Sequence, residues 1–282
     1  MALTFMQRLC PPILRRHLRT ARDRFELAFL GPIPCDTDSL RQFTDADLRA
    51  IFSSEAIARD WEGGRQLLAT LGLPELTGGV NPGDQRAIYH LIHALQPKSV
   101  LEIGTHVGCS TANIALALKQ VSAADSCRRE LTTVDVRDVN DPATKPWAAF
   151  DSSASPRELL QRIDCSDSVS FLVADSLAFL ATCRRQFDFI FLDGDHSARK
   201  VFQEIPLALE RLNPGGTILL HDYFPELRPL YSDKSVLPGP YLAARRLIRQ
   251  GARFRVCPLG QLPWPTKLNS SFTTLAVLSK VD

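Results

Sequence analysis

The stretch VLEIGTHVGCST, residues 100–111, decides the fold. Three of its first four residues are apolar and nothing alternates, which predicts a short parallel strand buried on both faces over 100–103. Gly104 and Gly108 bracket a tight turn, and residues 110–114 open a helix. A strand, a glycine turn and a helix N-terminus together bring bare backbone N–H groups up to a ligand. Glu102 is out of place in an apolar strand and is expected to face that ligand. A Gly-x-x-x-Gly turn alone is weak evidence for a nucleotide site; the weight comes from the polar strand ends downstream of it.

Downstream, strands and helices alternate. LTTV (131–134) reads as a strand ending in Asp135, and SVSFLV (168–173) as one ending in Ala174-Asp175-Ser176. FDFIFL (187–192) ends in Asp193-Gly194-Asp195-His196. TILL (217–220), entered through the turn NPGG, ends in His221-Asp222. Ser155-Pro156 forms an N-cap and N1 pair for RELLQRI, and a further helix spans about 197–212. Strands at such intervals joined by helices predict an α/β fold with a doubly wound, mostly parallel sheet. Residues 223–240, rich in proline and aromatics, read as a long loop over the site, and Tyr223, Phe224 and Tyr231 are candidates to roof an acceptor, with Trp264 a further wall. Two last strands, about 253–258 and 272–279, have no helix between them and predict an antiparallel edge.

Upstream the chain is helical. Thr44, with Asp47 three residues on, caps one helix; a second runs from about Ser54 with Gly63-Gly64 weakening its middle. Pro74 and GGVNPG (78–83) close this region, and residues 84–95 form an amphipathic helix leading into the central strand. The expected division is a helical extension over 1–82 and a nucleotide-binding domain over 83–282.

Composition narrows the function. The chain has 282 residues, 45% hydrophobic and 23% charged, with a net charge of +2 that gives no electrostatic commitment to nucleic acid. Seven cysteines without a Cys-x-x-Cys pair argue for free thiols in a reducing, cytoplasmic setting, and Cys109 reads as a packed residue. No apolar run approaches the roughly 18 residues of a membrane span. The opening segment is arginine-rich and free of acids over its first 22 residues. It is expected to lie as a helix on its own domain, with a membrane-surface or targeting role as the alternative.

Ligands of open parallel sheets bind beyond the carboxyl ends of the strands. Here those ends carry Gly104 and Gly108, Asp135, Asp175, Asp193 with Asp195, and His221 with Asp222. Buried carboxylates are costly unless paired, hydrogen-bonded or metal-bound, so an acidic rim implies a ligand. Asp135 suits a ribose, whose hydroxyls both donate to one carboxylate. Asp175 and Ser176 suit an adenine edge, with helix capping as the competing role.

VLEIGTHVGCST, TTVDV, LVADS, FDFIFLDGDH and LNPGGTILLHD, in this order, resemble class I S-adenosylmethionine-dependent methyltransferases, whose fold is Rossmann-like. Within that class the chain is similar to the small-molecule O-methyltransferases that act on catechol, caffeoyl-coenzyme A and macrocin. The resemblance implies S-adenosyl-L-methionine as cofactor, held by Glu102, Gly104 and Thr105, with Gly108 and Ser110 at the helix start and Asp135 on the ribose. It further implies that Asp193 and Asp222 hold Mg²⁺ or another divalent cation, with His221, Asp195 or water as third ligand. Asp222-Tyr223 departs from the Asp-Asn of the catechol enzymes, and a histidine ligand favours a softer ion. His196 stands where those enzymes carry a lysine base, so His196 and Asp193 are the candidate catalytic residues.

The expected activity is O-methylation of a small hydroxylated acceptor. A catalytically silent methyltransferase-like binding module is the alternative. An NAD(P)-dependent oxidoreductase is disfavoured, because Thr105-His106 stands where the second glycine of G-x-G-x-x-G falls. Nucleic-acid methylation lacks its Asn- or Asp-Pro-Pro-aromatic tetrad here. Assembly into a homo-oligomer is open.

Overall fold

The computed structural model describes residues 12–73 and 79–281. The first 11 residues of the basic segment, and the loop closure expected at Pro74 and Gly78, lie outside them. Nine α-helices are described: α1 (Pro12–Ala28), α2 (Asp45–Phe52), α3 (Glu55–Ala69), α4 (Pro82–Leu95), α5 (Cys109–Asp125), α6 (Pro156–Arg162), α7 (Ser176–Thr182), α8 (Ala198–Glu210) and α9 (Gly239–Arg249). Seven strands, β1 (Ser99–Ile103), β2 (Glu130–Asp135), β3 (Val169–Val173), β4 (Phe187–Leu192), β5 (Leu212–Leu220), β6 (Phe254–Pro258) and β7 (Ala276–Lys280), form one sheet in the order β3-β2-β1-β4-β5-β7-β6. The first five are parallel, while β7 pairs antiparallel to both β5 and β6. The order reverses between β1 and β4, which places the switch-point crevice above Gly104.

Alternate residues of the central strands feed two cores. Val100, Phe189, Phe191 and Leu219 face one side, with Ile88, Ile92, Ile114 and Leu159 from the helices there. Leu101, Ile103, Ile190, Ile218 and Leu220 face the other, with Phe202, Ile205 and Leu247. This is period-2 geometry with both faces covered, and it explains why the strands read as apolar runs. Strand β3 is the exception: it lies at the sheet edge and leaves Leu172 and Val173 exposed.

Local signals act where the residues place them. Thr44 and Asp47 close a capping box on α2, and Ser155 with Glu158 closes another on α6. Ser54 caps α3, which runs unbroken through Gly63-Gly64. At Gly64 a Cβ would stand 2.9 Å from Leu116 Cδ2, so this glycine lets α5 approach α3. The residues of α2 and α3, Phe52, Ile57 and Trp61 among them, are buried in the same core as β1 and α5.

Two expectations change. NPGG is not a turn before β5; the strand starts at Leu212 and bulges, pairing Phe187 with Leu212 and then Phe189 with Thr217. Gly216 exchanges backbone hydrogen bonds with Ser39 and Arg41, so a partner distant in sequence holds the stretch extended. The aromatics of the long loop do not roof a cavity: Phe224 and Tyr231 pack with Leu227 and Val236 into a small core of their own. Tyr223 joins the main core, and Trp264 donates from Nε1 to the Gly83 carbonyl with Arg86 stacked on its ring. Large rings removed from water gain more by such burial than by lining a wet pocket.

Candidate active site

A cavity of about 490 Å³ lies along the carboxyl ends of β1 to β5. At its centre, Gly104 has φ +99° and donates its N–H to the Val134 carbonyl at 2.8 Å. A Cβ here would fall 2.2 Å from the Asp193 carbonyl oxygen, so only glycine permits this approach of β1 to β4. The turn ends at Gly108, φ +83°, which is the N-cap of α5 and contributes no side-chain cap. Thr105 and Ser110 line the cavity together with the start of α5.

The Asp135 carboxylate accepts from the backbone N–H groups of His106 and Arg137, each at 3.0 Å. These bonds anchor it at the cavity wall with lone pairs left over for a ligand. Val136 beside it is 70% exposed and lines the cavity, an apolar platform at its β2 end. Asp175 caps α7 by accepting from Leu177 and Ala178, and is also ion-paired with Lys200. The Ser176 hydroxyl turns away from the cavity and donates to buried Glu204 at 2.5 Å. Burial pushes the Glu204 carboxyl up to about 7, against the opposing pull of that hydrogen bond.

Two of the residues expected at the cofactor do not line the cavity. Glu102 is fully buried and does not line the cavity; its Oε2 accepts from Thr111 at 2.6 Å and Thr133 at 2.7 Å. Those hydroxyls tie β1, β2 and α5 together beneath the glycine turn. Burial pushes the Glu102 carboxyl up to about 7 although the hydroxyls favour its charged form. Gly108 also lies behind the wall, packed on Pro156, because its role is to turn the chain into α5.

At the β4 and β5 ends the geometry is ionic. His221 Nδ1 lies 2.7 Å from Asp193 Oδ1 and 3.8 Å from Asp222 Oδ2, while Nε2 lies 3.5 Å from Asp84 Oδ2. Neither ring nitrogen is aligned for a regular hydrogen bond, so these are ion-pair contacts. Burial opposes the charged ring, but Asp193, Asp222 and then Asp84 hold its pKa well above the ordinary imidazole range. The Asp222 carboxyl sits below the ordinary range: burial works against this, and His221 and His196 overcome it. His196, 31% exposed in its side chain, places Nε2 3.5 Å from Asp222 Oδ2 and 4.0 Å from Asp193 Oδ1.

The metal reading of Asp193, His221 and Asp222 needs correcting on this geometry. The three do come together, but the His221 ring points Nδ1 at Asp193 Oδ1, and the carboxylates of Asp193, Asp222 and Asp84 favour its charged form. Among the described residues no group of three or more His, Cys, Asp or Glu side chains is arranged to hold a metal ion. A hard divalent cation needs several convergent oxygens, and one of the oxygens facing this space is already engaged by the His221 ring. The residues present do not fit the ion. Turnover by the purified protein in excess EDTA is therefore expected to equal turnover with added Mg²⁺. A loss on chelation, restored by Mg²⁺, would overturn this correction.

Residues 101–223 match the family model described as a methyltransferase domain. Over these residues the chain is similar to that family. Among solved structures, cofactor-bound Rv0187 from MTB aligns with 86% of this chain and 100% of its own, at 19% identity and a TM-score of 0.52. The O-methyltransferase TomG from Streptomyces achromogenes, involved in tomaymycin synthesis and in complex with SAM, aligns over 82% and 91% at 17% identity, TM-score 0.52. An O-methyltransferase from Bacillus cereus in complex with SAH aligns over 95% and 100% at 20% identity, TM-score 0.50. At these identities the likeness shows a shared fold. Sequence reasoning missed Val136, Arg137 and Lys200 as cavity residues, and Asp84 as a partner of His221. An apolar residue directly after the strand-ending aspartate was a usable signal for Val136. Nothing local marks Asp84, which reads as an ordinary first-turn acid of α4.

Proposed function

We propose that the protein is an S-adenosylmethionine-dependent O-methyltransferase acting on a small hydroxylated acceptor without a metal. One observation carries the reading: the order of groups along the cavity follows the order of strands, Asp175 at β3, Asp135 at β2, Gly104-Thr105 at β1, Asp193-His196 at β4 and His221-Asp222 at β5. A nucleoside with a charged tail lies along that line with its adenine against Val136 and Asp175 and its ribose hydroxyls on Asp135. Its amino-acid tail then meets Thr105 and Ser110. The excess of carboxylates in the wall suits a sulfonium cation.

S-adenosylmethionine, when bound, supplies an electrophilic methyl group. The chain's own residues hold the acceptor in line and manage its proton. An acceptor hydroxyl at the β4–β5 end gives its proton to His196 Nε2, and Asp222 and Asp193 stabilise the resulting imidazolium. His221, locked between Asp84 and Asp193, keeps Asp193 from taking that proton and orients its carboxylate.

Replacing Asp135 by Ala removes the acceptor of two charge-assisted hydrogen bonds from the ribose. Titration calorimetry is expected to show S-adenosylhomocysteine binding weakened about 10- to 100-fold with the fold retained. Unchanged affinity would remove the ribose from this position and the proposal with it.

A further inference from the structure

Helix α1 lies on α8 and α9 and is held there by its inner face. Leu27 is buried in the core, and Asp23, paired with Arg22, is buried beside the start of α8. Arg246 of α9 donates to the Leu30 carbonyl. The outer face is left apolar: Leu14, Leu18, Phe25 and Phe29 are 49%, 59%, 65% and 73% exposed. At 100° per residue Leu14, Leu18 and Phe25 fall within one narrow stripe, opposite Asp23 and Leu27, and Phe29 follows at the turn just past the helix end. The rings of Phe25 and Phe29 meet edge to face at 4.7 Å and form one patch.

Cations flank that stripe on both sides. Arg15, Arg19 and Arg22 run along one edge and Arg24 lies along the other, while Arg245 and Arg249 are exposed on neighbouring α9. Both acids on α1, buried Asp23 and Glu26, pair with Arg22, which leaves Arg15, Arg19 and Arg24 as the cations at the edges of the stripe. An apolar stripe bordered by arginines is complementary to a surface with acyl chains at its centre and negative charge around it. A second copy of the same face would set arginine against arginine.

We propose that α1 docks the protein on an anionic lipid bilayer, with Leu14, Leu18, Phe25 and Phe29 in the headgroup–acyl boundary and the arginines among the phosphates. The claim concerns surface attachment only and is independent of the methyl-transfer reading.

The full chain is mixed with sedimentable vesicles of pure phosphatidylcholine, or of phosphatidylcholine with about 30% phosphatidylglycerol. Partitioning is expected to be at least about tenfold stronger on the anionic vesicles and to weaken in about 0.5 M NaCl. The double variant Leu18→Glu/Phe25→Glu should lose at least about tenfold in binding. Both positions are exposed, and an unchanged thermal melt verifies the fold. Failure of the wild-type chain to bind anionic vesicles, or equal binding by the variant, overturns the proposal. So does a dimer in sedimentation equilibrium that the double variant dissolves, because the stripe would then belong to a second copy.

Discussion

His196→Ala is expected to lower turnover by about 10²- to 10⁴-fold while leaving S-adenosylhomocysteine affinity within about twofold. The split follows from position. His196 sits at the β4 end of the cavity with its ring toward Asp222 and Asp193, whereas the proposed nucleoside contacts lie at the ends of β1, β2 and β3. Loss of the imidazole removes the proton acceptor and leaves two carboxylates facing the hydroxyl. Either carboxylate is a weaker base for an alcohol or phenol at neutral pH, since its ordinary pKa lies further below that of the proton donor. Single-turnover methyl transfer to an acceptor of known rate, measured beside calorimetric binding, separates the two quantities. Equal turnover in the variant would take the base role from His196.

The other large effect is predicted for Gly104→Ala. The new Cβ would stand 2.2 Å from the Asp193 carbonyl oxygen and 2.7 Å from its carbon, both backbone atoms of a strand end that cannot rotate away. It would also impose a side chain at φ +99°. Backbone strain of about 1–3 kcal/mol and an overpacking cost of similar size add to roughly 2–6 kcal/mol. Against a total stability of about 5–15 kcal/mol, that lowers the melting temperature by roughly 10 °C. Because the clash pushes Asp193 away from β1, binding of S-adenosylhomocysteine should fall below detection as well. Gly251→Ala is the control: its φ is +101° but nothing lies within 4 Å of its Cβ, so it carries the strain without the clash. Equal destabilisation of the two variants would show that conformation alone, not the β1–β4 approach, demands glycine at 104.

Much of the scaffold was legible because it is local. The run VLEI, the glycines after it and the helix start sit within twelve residues, and their roles depend on backbone conformation and burial alone. The caps at Thr44 and Ser155 are likewise short-range, each read from a side chain that accepts from an N–H within three residues. Asp135, Asp175, Asp193 and Asp222 were found because a strand end is a defined place in a parallel sheet. Glu102, expected to face a ligand, is instead buried below the cavity. An acid in a buried strand has two outlets, a ligand above or hydroxyls from neighbouring elements, and Thr111 and Thr133 take it beneath the cavity wall.

The sequence by itself determined the alternating strands and helices, the glycine turn between β1 and α5, and the acidic residues at the strand ends. Tertiary structure alone decided the ionic cluster, because Asp84 reaches His221 only when α4 packs beside the end of β5. It decided as well that β7 enters between β5 and β6, and that the Leu14–Phe29 stripe of α1 faces solvent. Periodicity says that a helix has an apolar face; which face finds a neighbour depends on contacts between residues far apart in the chain.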